Sequence, residues 1–522
     1  MFNKIIKKLK KRKTLKKDDK SPILRIEHAL SADGDGETGD VVFMNPHAQN
    51  ILNAQQALST NGSLEKVLGH CPEVIPGQSE MTVDSIIEAF AVKHFSKVPK
   101  EGDLQLSIHL KDVQDAIICD LLKLVTLPKE VWFLESRIEC YHQRIFKHLN
   151  QILLHIRTTE QAFTLLDWVV HSYSSQEFKG HPNLKDEALQ KQDLMLLSNY
   201  LTHATEKVLP IIQEEISTSL TRILQNEECS RDIESYSGNE EAFVALYVDA
   251  IQCIDAVRKT ALKISSNFKT KVEEVCFHEL HNFIKMYTSA EKKYHQKQTQ
   301  TDKTILHSFK TFNHCVELRQ YVQTTGKNIN KRLYTEIISA LESMEASALK
   351  VILRTLMHRT EISFKTYFKK GGHMENITTD IKELLDPIPN NWKTQETVVN
   401  KAYESILTLY LKCLVQSNRA HVMKAWPDVG KRVTQDAQLL DDMFQGLNPK
   451  VERKNLILRN VGEILECSSI DTVKLITANT LKECPIASLD LIKALLRWCA
   501  CCFSVDLIKA LLRWRGISGK QL

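Results

Sequence analysis

Apolar residues recur every three or four positions through most of this chain. Phe243, Leu246, Tyr247, Ala250, Ile251 and Ile254 fall at i, i+3, i+4, i+7, i+8 and i+11, and Tyr403, Ile406, Leu407, Tyr410, Leu411 and Leu414 repeat the spacing. Each set draws one apolar stripe down a helix, with charges on the far side. Only eight glycines or prolines occur between residues 103 and 386, so long helices can run without interruption. Period-2 alternation flanked by hairpin turns is missing. The pattern predicts an all-α protein. Helices of about 20–30 residues span roughly 30–45 Å, and many in series predict consecutive helical bundles forming an elongated rod.

Breaks in the periodicity predict helix ends near Pro128, Gly180-His181-Pro182, Pro210, Gly238, Gly326 and Gly371-Gly372. The clearest is Asp386-Pro387-Ile388-Pro389-Asn390-Asn391, where two prolines stop any helix. The expected organisation is therefore a tail at 1–20, a linker at 21–80, helical bundles over 81–386 and a C-terminal helical bundle over 387–522. Residues 21–80 read as flexible linker because four prolines and six glycines fall among polar residues with little periodicity. Near the end, the nine residues Asp490 to Trp498 recur letter for letter at 506–514, offset by 16. On one continuous helix the copies would face about 160° apart, so one copy is expected to dock in the bundle.

Composition narrows the class. Apolar residues make up 43% and charged residues 25%, which excludes wholesale disorder. No run of 18 or more apolar residues occurs, so no spanning helix is expected. Lysines interrupt the apolar pairs at the N-terminus before a signal-peptide core can form. The thirteen scattered cysteines then read as reduced thiols, mostly small core residues, in a cytoplasmic protein. The net charge of +5 is unevenly placed: residues 1–20 carry +8, which leaves −3 for the other 502.

That tail is the most informative local feature. Phe2, Ile5, Ile6 and Leu9 lie at i, i+3, i+4 and i+7, while Lys4, Lys7, Lys8, Lys10 and Lys11 occupy the other positions. A short amphipathic helix with a basic face results, followed by Arg12, Lys13, Lys16 and Lys17. Such a segment suits an anionic membrane surface, at about 1 kcal/mol per basic residue plus burial of the apolar edge. Phe2 stands where myristoylation needs glycine, so that anchor is excluded. The alternative is a nuclear-import signal on a cytosolic or shuttling helical adaptor; the four apolar residues at helical spacing favour the membrane. Nucleic acid is not an expected partner, because the remainder of the chain is net negative.

Other motifs dissolve on inspection. Gly34-Asp35-Gly36-Glu37-Thr38-Gly39 fits G-x-G-x-x-G, but no strand precedes it and its acidic residues would repel a pyrophosphate. His278-Glu279-Leu280-His281 has i, i+3 spacing, whereas the zinc-protease motif needs i, i+4. Cys499, Cys501 and Cys502 have no second ligand pair nearby. No P-loop, nucleophile elbow or metal site is found, and no catalytic residue, metal or cofactor is expected.

From about residue 130 onward the chain resembles the family of the third exocyst component and its tumour-necrosis-factor-inducible relative M-Sec. The resemblance rests on Tyr141-His142, on the run Phe163 to Tyr173, and on Gly180-His181-Pro182-Asn183-Leu184. It continues through Asp436-Ala437-Gln438-Leu439-Leu440, Phe444, Leu458 to Leu465, Ile470-Asp471, Lys482-Glu483-Cys484-Pro485 and Lys509 to Gly516. It implies a non-enzymatic rod of helical bundles that tethers secretory vesicles, with exocyst subunits and SNARE proteins as partners. For the M-Sec branch it implies membrane protrusions, phosphoinositides bound through a basic N-terminal region, and a Ral-type small GTPase. The expected location is cytoplasmic, peripheral at the plasma membrane.

Overall fold

The computed structural model describes residues 103–125, 131–173, 194–232, 244–297, 302–386, 388, 393–467, 469–483 and 489–499. Among these residues the chain forms fifteen α-helices and no strand, as the apolar spacing predicts. In order they are α1 (Asp103–Val125), α2 (Val131–His155), α3 (Thr159–Asp167), α4 (Leu194–Asp232), α5 (Ala245–Ile264), α6 (Ser266–Lys297), α7 (Asp302–Thr325) and α8 (Lys331–Lys370). Then follow α9 (Met374–Leu385), α10 (Lys393–Gln416), α11 (Arg419–Ala425), α12 (Val429–Leu447), α13 (Leu456–Glu466), α14 (Ile470–Glu483) and α15 (Leu489–Cys499). No helix of the described residues is long and apolar enough to cross a membrane. The chain divides into two compact units, one of residues up to 226 with 249–283 and 328–330, the other of 227–248, 284–327 and 331 onward.

Helix ends follow local chemistry. α3 opens with a capping box: the Gln161 N–H donates to Thr158 Oγ1, and the Thr158 N–H donates back to Gln161 Oε1. The Thr159 N–H reaches Glu215 Oε2 on α4 at 3.0 Å, so a carboxylate from another helix serves the same end. α3 then runs into a π turn, Trp168–Ser172, closed by Tyr173 N–H to Trp168 O at 2.8 Å. At the other extreme, α8 stops at Gly371, whose φ of +68° is open to glycine at little cost. The expected ends at Gly326 and at Asp386 also stand: α7 closes at Thr325 and α9 at Leu385.

Pro210 is a correction. It was expected to end a helix and instead lies inside the 39-residue α4. An internal proline costs about 3 kcal/mol. On either side of it Ala204, Val208, Ile212, Ile216 and Leu220 form one stripe of i, i+4 steps that is 0–1% exposed. Each large member contributes about 1.5–3 kcal/mol through burial, so continuing the helix outweighs breaking it. Pro210 itself sits on the exposed side. The ends expected at Pro128, Gly180-His181-Pro182 and Gly238 lie outside the described residues.

In the first unit, α3 and the π turn bury Ala162, Phe163, Leu165, Leu166, Trp168 and Val169. Phe163 meets Phe268 of α6 edge-on, and Trp168 Nε1 donates to Gln114 Oε1 of α1 at 3.2 Å. The His142 ring hydrogen-bonds the Tyr173 hydroxyl. Most of the run from Phe163 to Tyr173 is therefore packing, with His171 exposed.

The second unit holds one continuous apolar core from Ile305 to Cys499, with residues on both sides of the Asp386-Pro387 break. The whole predicted stripe Tyr403, Ile406, Leu407, Tyr410, Leu411 and Leu414 is buried in it. Its most unusual member is α7, which is buried nearly all round from Thr304 to Val316 although half of those residues are polar. Several of these polar side chains find partners on other helices, although Ser308 Oγ, His307 Nδ1 and Asn313 Nδ2 are buried without one. Lys310 Nζ pairs with Glu227 Oε1 at 2.7 Å, His307 Nε2 lies 2.8 Å from Glu291 Oε2, and Thr394 Oγ1 donates to Asn313 Oδ1 at 2.8 Å. Arg319 clamps Glu345 of α8 through Nε and Nη2 at 2.6 and 3.1 Å.

At the end of the chain, Ile492, Leu495, Leu496 and Cys499 of α15 enter this core, and Trp498 Nε1 donates to Ser417 O at 3.0 Å. The first copy of the duplicated segment therefore docks. The second, 506–514, lies outside the described residues.

α12 and α13 cross at two glycines. A Cβ on Gly430 would stand 2.7 Å from Gly462 O, and one on Gly462 would stand 2.9 Å from Gly430 O. Ordinarily Gly→Ala inside a helix stabilises by about 1 kcal/mol. Here both backbones must move apart, so Gly430→Ala and Gly462→Ala are each expected to destabilise by about 1–3 kcal/mol. A raised Tm for either single variant in thermal unfolding would contradict this close crossing.

Candidate functional site

The predicted membrane site, Lys4, Lys7, Lys8, Lys10, Lys11, Arg12, Lys13, Lys16 and Lys17 with Phe2, Ile5, Ile6 and Leu9, lies outside the described residues. So does the Gly34–Gly39 stretch. Of the metal-like candidates, His278 points outward on α6 at 60% side-chain exposure while His281 is buried, so the two rings diverge. Glu279 between them accepts from Gln213 Nε2 at 2.7 Å and from Asn282. Among the described residues no group of three or more His, Cys, Asp or Glu is placed to hold a metal. Cys499 is buried in the core, and Cys501 and Cys502 are outside the described residues.

Cys119, Cys229, Cys253, Cys276, Cys315, Cys413, Cys467 and Cys499 are free thiols, and Cys276, Cys315, Cys413 and Cys499 are buried. Burial pushes the Cys253 thiol up to about 12 and Cys413 up to about 11, so neither offers a thiolate nucleophile at neutral pH.

One cleft of about 300 Å³ opens in the first unit, between the π turn, the start of α4 and the α5–α6 junction. Leu166, Val170, Leu197, Leu201, Ile264 and Phe268 line it, with Ser198, Thr202, Thr205, Asn267 and Lys271 as polar members. No carboxylate, histidine or thiol lines it, so it lacks a partner pair for acid–base or nucleophilic work.

Asp436 on α12 is a fully buried acidic side chain. Tyr367 of α8 and Tyr410 of α10 both donate to its Oδ2 at 2.7 Å. Arg432, one turn earlier, places Nε 3.4 Å from Oδ1 and 3.0 Å from the Tyr367 hydroxyl. Its guanidinium also lies over the Tyr367 and Trp426 rings, at 5.8 and 6.0 Å from their centroids. Burial raises the Asp436 carboxyl to about 6 despite the two tyrosine hydrogen bonds and Arg432. One turn further on, Asp441 accepts from Tyr403 at 3.1 Å and faces Arg453 at 3.7 Å.

These carboxylates fasten helices. Tyr367, Tyr403 and Tyr410, which donate to them, are core side chains, while Arg432 and Arg453 approach from the surface side. Sequence reading placed Asp436 within a packing segment and missed its role. The signal was available: a carboxylate stands inside the stripe Val433, Ala437, Leu440 and Phe444, where only a matched charge is tolerated.

Comparison with known proteins agrees with this picture. The family described as exocyst complex component Sec6 matches residues 128–498, ending at the last residue of the first duplicated copy. The chain is 21% identical over 381 residues to an exocyst complex component 3-like protein of Danio rerio, covering 66% of this chain and 47% of that protein. It is 18% identical over 458 residues to exocyst complex component 3 of Drosophila melanogaster, covering 82% and 60% respectively. The chain thus spans about half the length of the curated relatives it matches. In fold it is similar to the crystal structure of M-Sec, with a TM-score of 0.58 at 13% identity over 90% of this chain and 85% of that one.

The raised carboxyl of Asp436 has a consequence for stability. The folded chain holds this proton more tightly than the unfolded chain does, so the stabilisation is complete below the unfolded value near 3.8 and is lost as pH rises through about 6. Asp436→Asn keeps an acceptor for both tyrosines and cannot titrate. Its stability is expected to vary less than the parent's between about pH 4 and 6, by up to about 3 kcal/mol. Parallel curves for the two proteins in pH-dependent denaturant unfolding would show that Asp436 does not titrate in that window.

Proposed function

Because the chain belongs to the family of the exocyst complex component Sec6, we propose that it is a non-enzymatic scaffold of membrane tethering in exocytosis or plasma-membrane protrusion. The observation that carries this reading is the match across residues 128–498, which takes in α2 to α14 and nearly all of α15. An interior built of packed stripes and matched ion pairs supports it, with Lys310–Glu227 and Arg319–Glu345 each tying two helices together.

In this reading the helical units present faces to other exocyst subunits, SNARE proteins and a Ral-type small GTPase. The protein works in the cytoplasm and peripherally at the plasma membrane. The basic tail at 1–17 adsorbs to anionic phosphoinositides, and residues 21–80 give it reach. The run Lys7 to Lys13 also fits an import signal, which is the second reading.

Two experiments test this. Affinity purification of the intact chain from cells at near-physiological salt, with mass spectrometry, should recover several exocyst subunits. Recovery of a small GTPase without them would instead favour action outside the complex, as expected of an M-Sec-like protein. For the tail, replacing Lys7, Lys8, Lys10, Lys11, Arg12 and Lys13 with Gln should weaken sedimentation with phosphoinositide vesicles about fivefold per charge removed. Sedimentation equal to the parent's would remove the tail from the mechanism, and nuclear accumulation of a fluorescent 1–20 fusion would turn it into an import signal.

A further inference from the structure

The helix that closes the core of the second unit is written twice in the sequence. α15 reaches that core through Ile492, Leu495, Leu496 and Cys499, which are 1–5% exposed, with Leu491 and Trp498 packed beside them. Its seat lies against α10, and Trp498 Nε1 donates at 3.0 Å to Ser417 O just past the end of that helix. On the far side Asp490 and Arg497 face water, and Lys493 reaches back to Asp490 at 3.7 Å.

The groove therefore accepts one short pattern of side chains, and the chain supplies that pattern again. Of the ten described side chains of α15, the nine from Asp490 to Trp498 recur unchanged at 506–514. Only Cys499 differs, with Arg515 in the corresponding place. Ile508, Leu511, Leu512 and Trp514 thus carry the same groups at the same helical spacing, and Asp506 and Lys509 repeat the i, i+3 charge pair.

The two copies compete for one seat, because a helix continued through both would turn their apolar faces about 160° apart. Two differences set the balance. α14 ends at Glu483, so five residues lead to Leu489, whereas twenty-one would lead to the matching Val505. Closing a loop about four times longer disfavours the second copy by about ninefold. Arg515 would also stand where Cys499 is 3% exposed, and its guanidinium would have to reach water along its stem. Both differences favour the first copy, which is the one seated in the structure.

We propose that α15 and residues 506–514 are interchangeable closing helices, so that the groove beside α10 takes the second copy whenever the first leaves it. The occupant is a segment of the same chain, and its identity to the helix already seated there is what assigns it.

The test follows unfolding of the full chain in denaturant. Leu511→Asp alone should leave the midpoint where it is, because the first copy holds the groove. Leu495→Asp expels the first copy; the second should replace it, with stability lowered by at least the loop factor of about ninefold. Leu495→Asp combined with Leu511→Asp leaves neither copy able to dock. That chain should lose about a further thirtyfold in its folding equilibrium, the low end for a buried leucine removed from a core. In the Leu495→Asp background, Arg515→Cys should recover stability, because it supplies the one side chain that differs. If Leu495→Asp prevents folding, Leu495→Ala with and without Leu511→Asp reads the same difference. The proposal is overturned if Leu511→Asp costs nothing in the Leu495 variant, or costs as much in the parent as it does there. Failure of Arg515→Cys to recover stability also overturns it. So does a Leu495→Asp chain that dimerises in sedimentation velocity and returns to monomer on adding Leu511→Asp, because the second copy would then close a neighbouring molecule.

Discussion

A carboxylate cannot be buried in an apolar core unless donors are waiting for it, and Asp436 shows how much geometry that requirement fixes. Both tyrosine donors aim at one oxygen, so α8, α10 and α12 must meet at the same point. The rings that carry those hydroxyls then set their neighbours: Phe364 and Phe368 pack edge-on against Tyr410, and Trp426 packs on Tyr367 and Phe368. Removing one partner would strand the others, at about 3–5 kcal/mol for a buried pair. Six residues earlier on the same helix, Gly430 lets α13 approach backbone to backbone. The second unit is organised outward from this one position.

α7 extends the same logic. A helix buried on all sides is usually apolar on all sides. Here Lys310, His307, Asn313 and His314 are buried and each meets a specific partner from another helix. Apolar packing alone would tolerate a slip of one turn between helices. A buried ammonium opposite Glu227 does not, because slipping would leave both charges desolvated and unmatched.

How far the sequence alone led can be judged residue by residue. Tyr403 to Leu414 announced a buried stripe, because every member is apolar and the spacing is helical, and all of it is buried. Gly371 announced a stop, because a left-handed residue ends a helix cheaply. Pro210 misled, since proline's local penalty is visible in sequence while the burial of Val208, Ile212 and Ile216 that offsets it depends on partners far along the chain. α7 could not be recognised as central, because its polar residues look like a solvated face until Glu227, Glu291 and Thr394 are brought to it.

That dependence ties the interior to the surface. α11 has only seven residues, too few to hold a helical turn or two by its own hydrogen bonds. Its place is set at one end by Asn418, whose side chain caps it, and at the other by Trp426 in the aromatic cluster around Tyr367. Tyr367 is in turn oriented by Asp436 and Arg432. The same carboxylate that aligns three helices therefore also fixes where Met423 and Lys424 stand relative to the end of α8. So short a surface helix keeps its place because it is anchored from beneath, through Trp426 and Tyr367, by a matched buried charge. That is a reason for such a charge to persist where an apolar residue would pack with less desolvation cost.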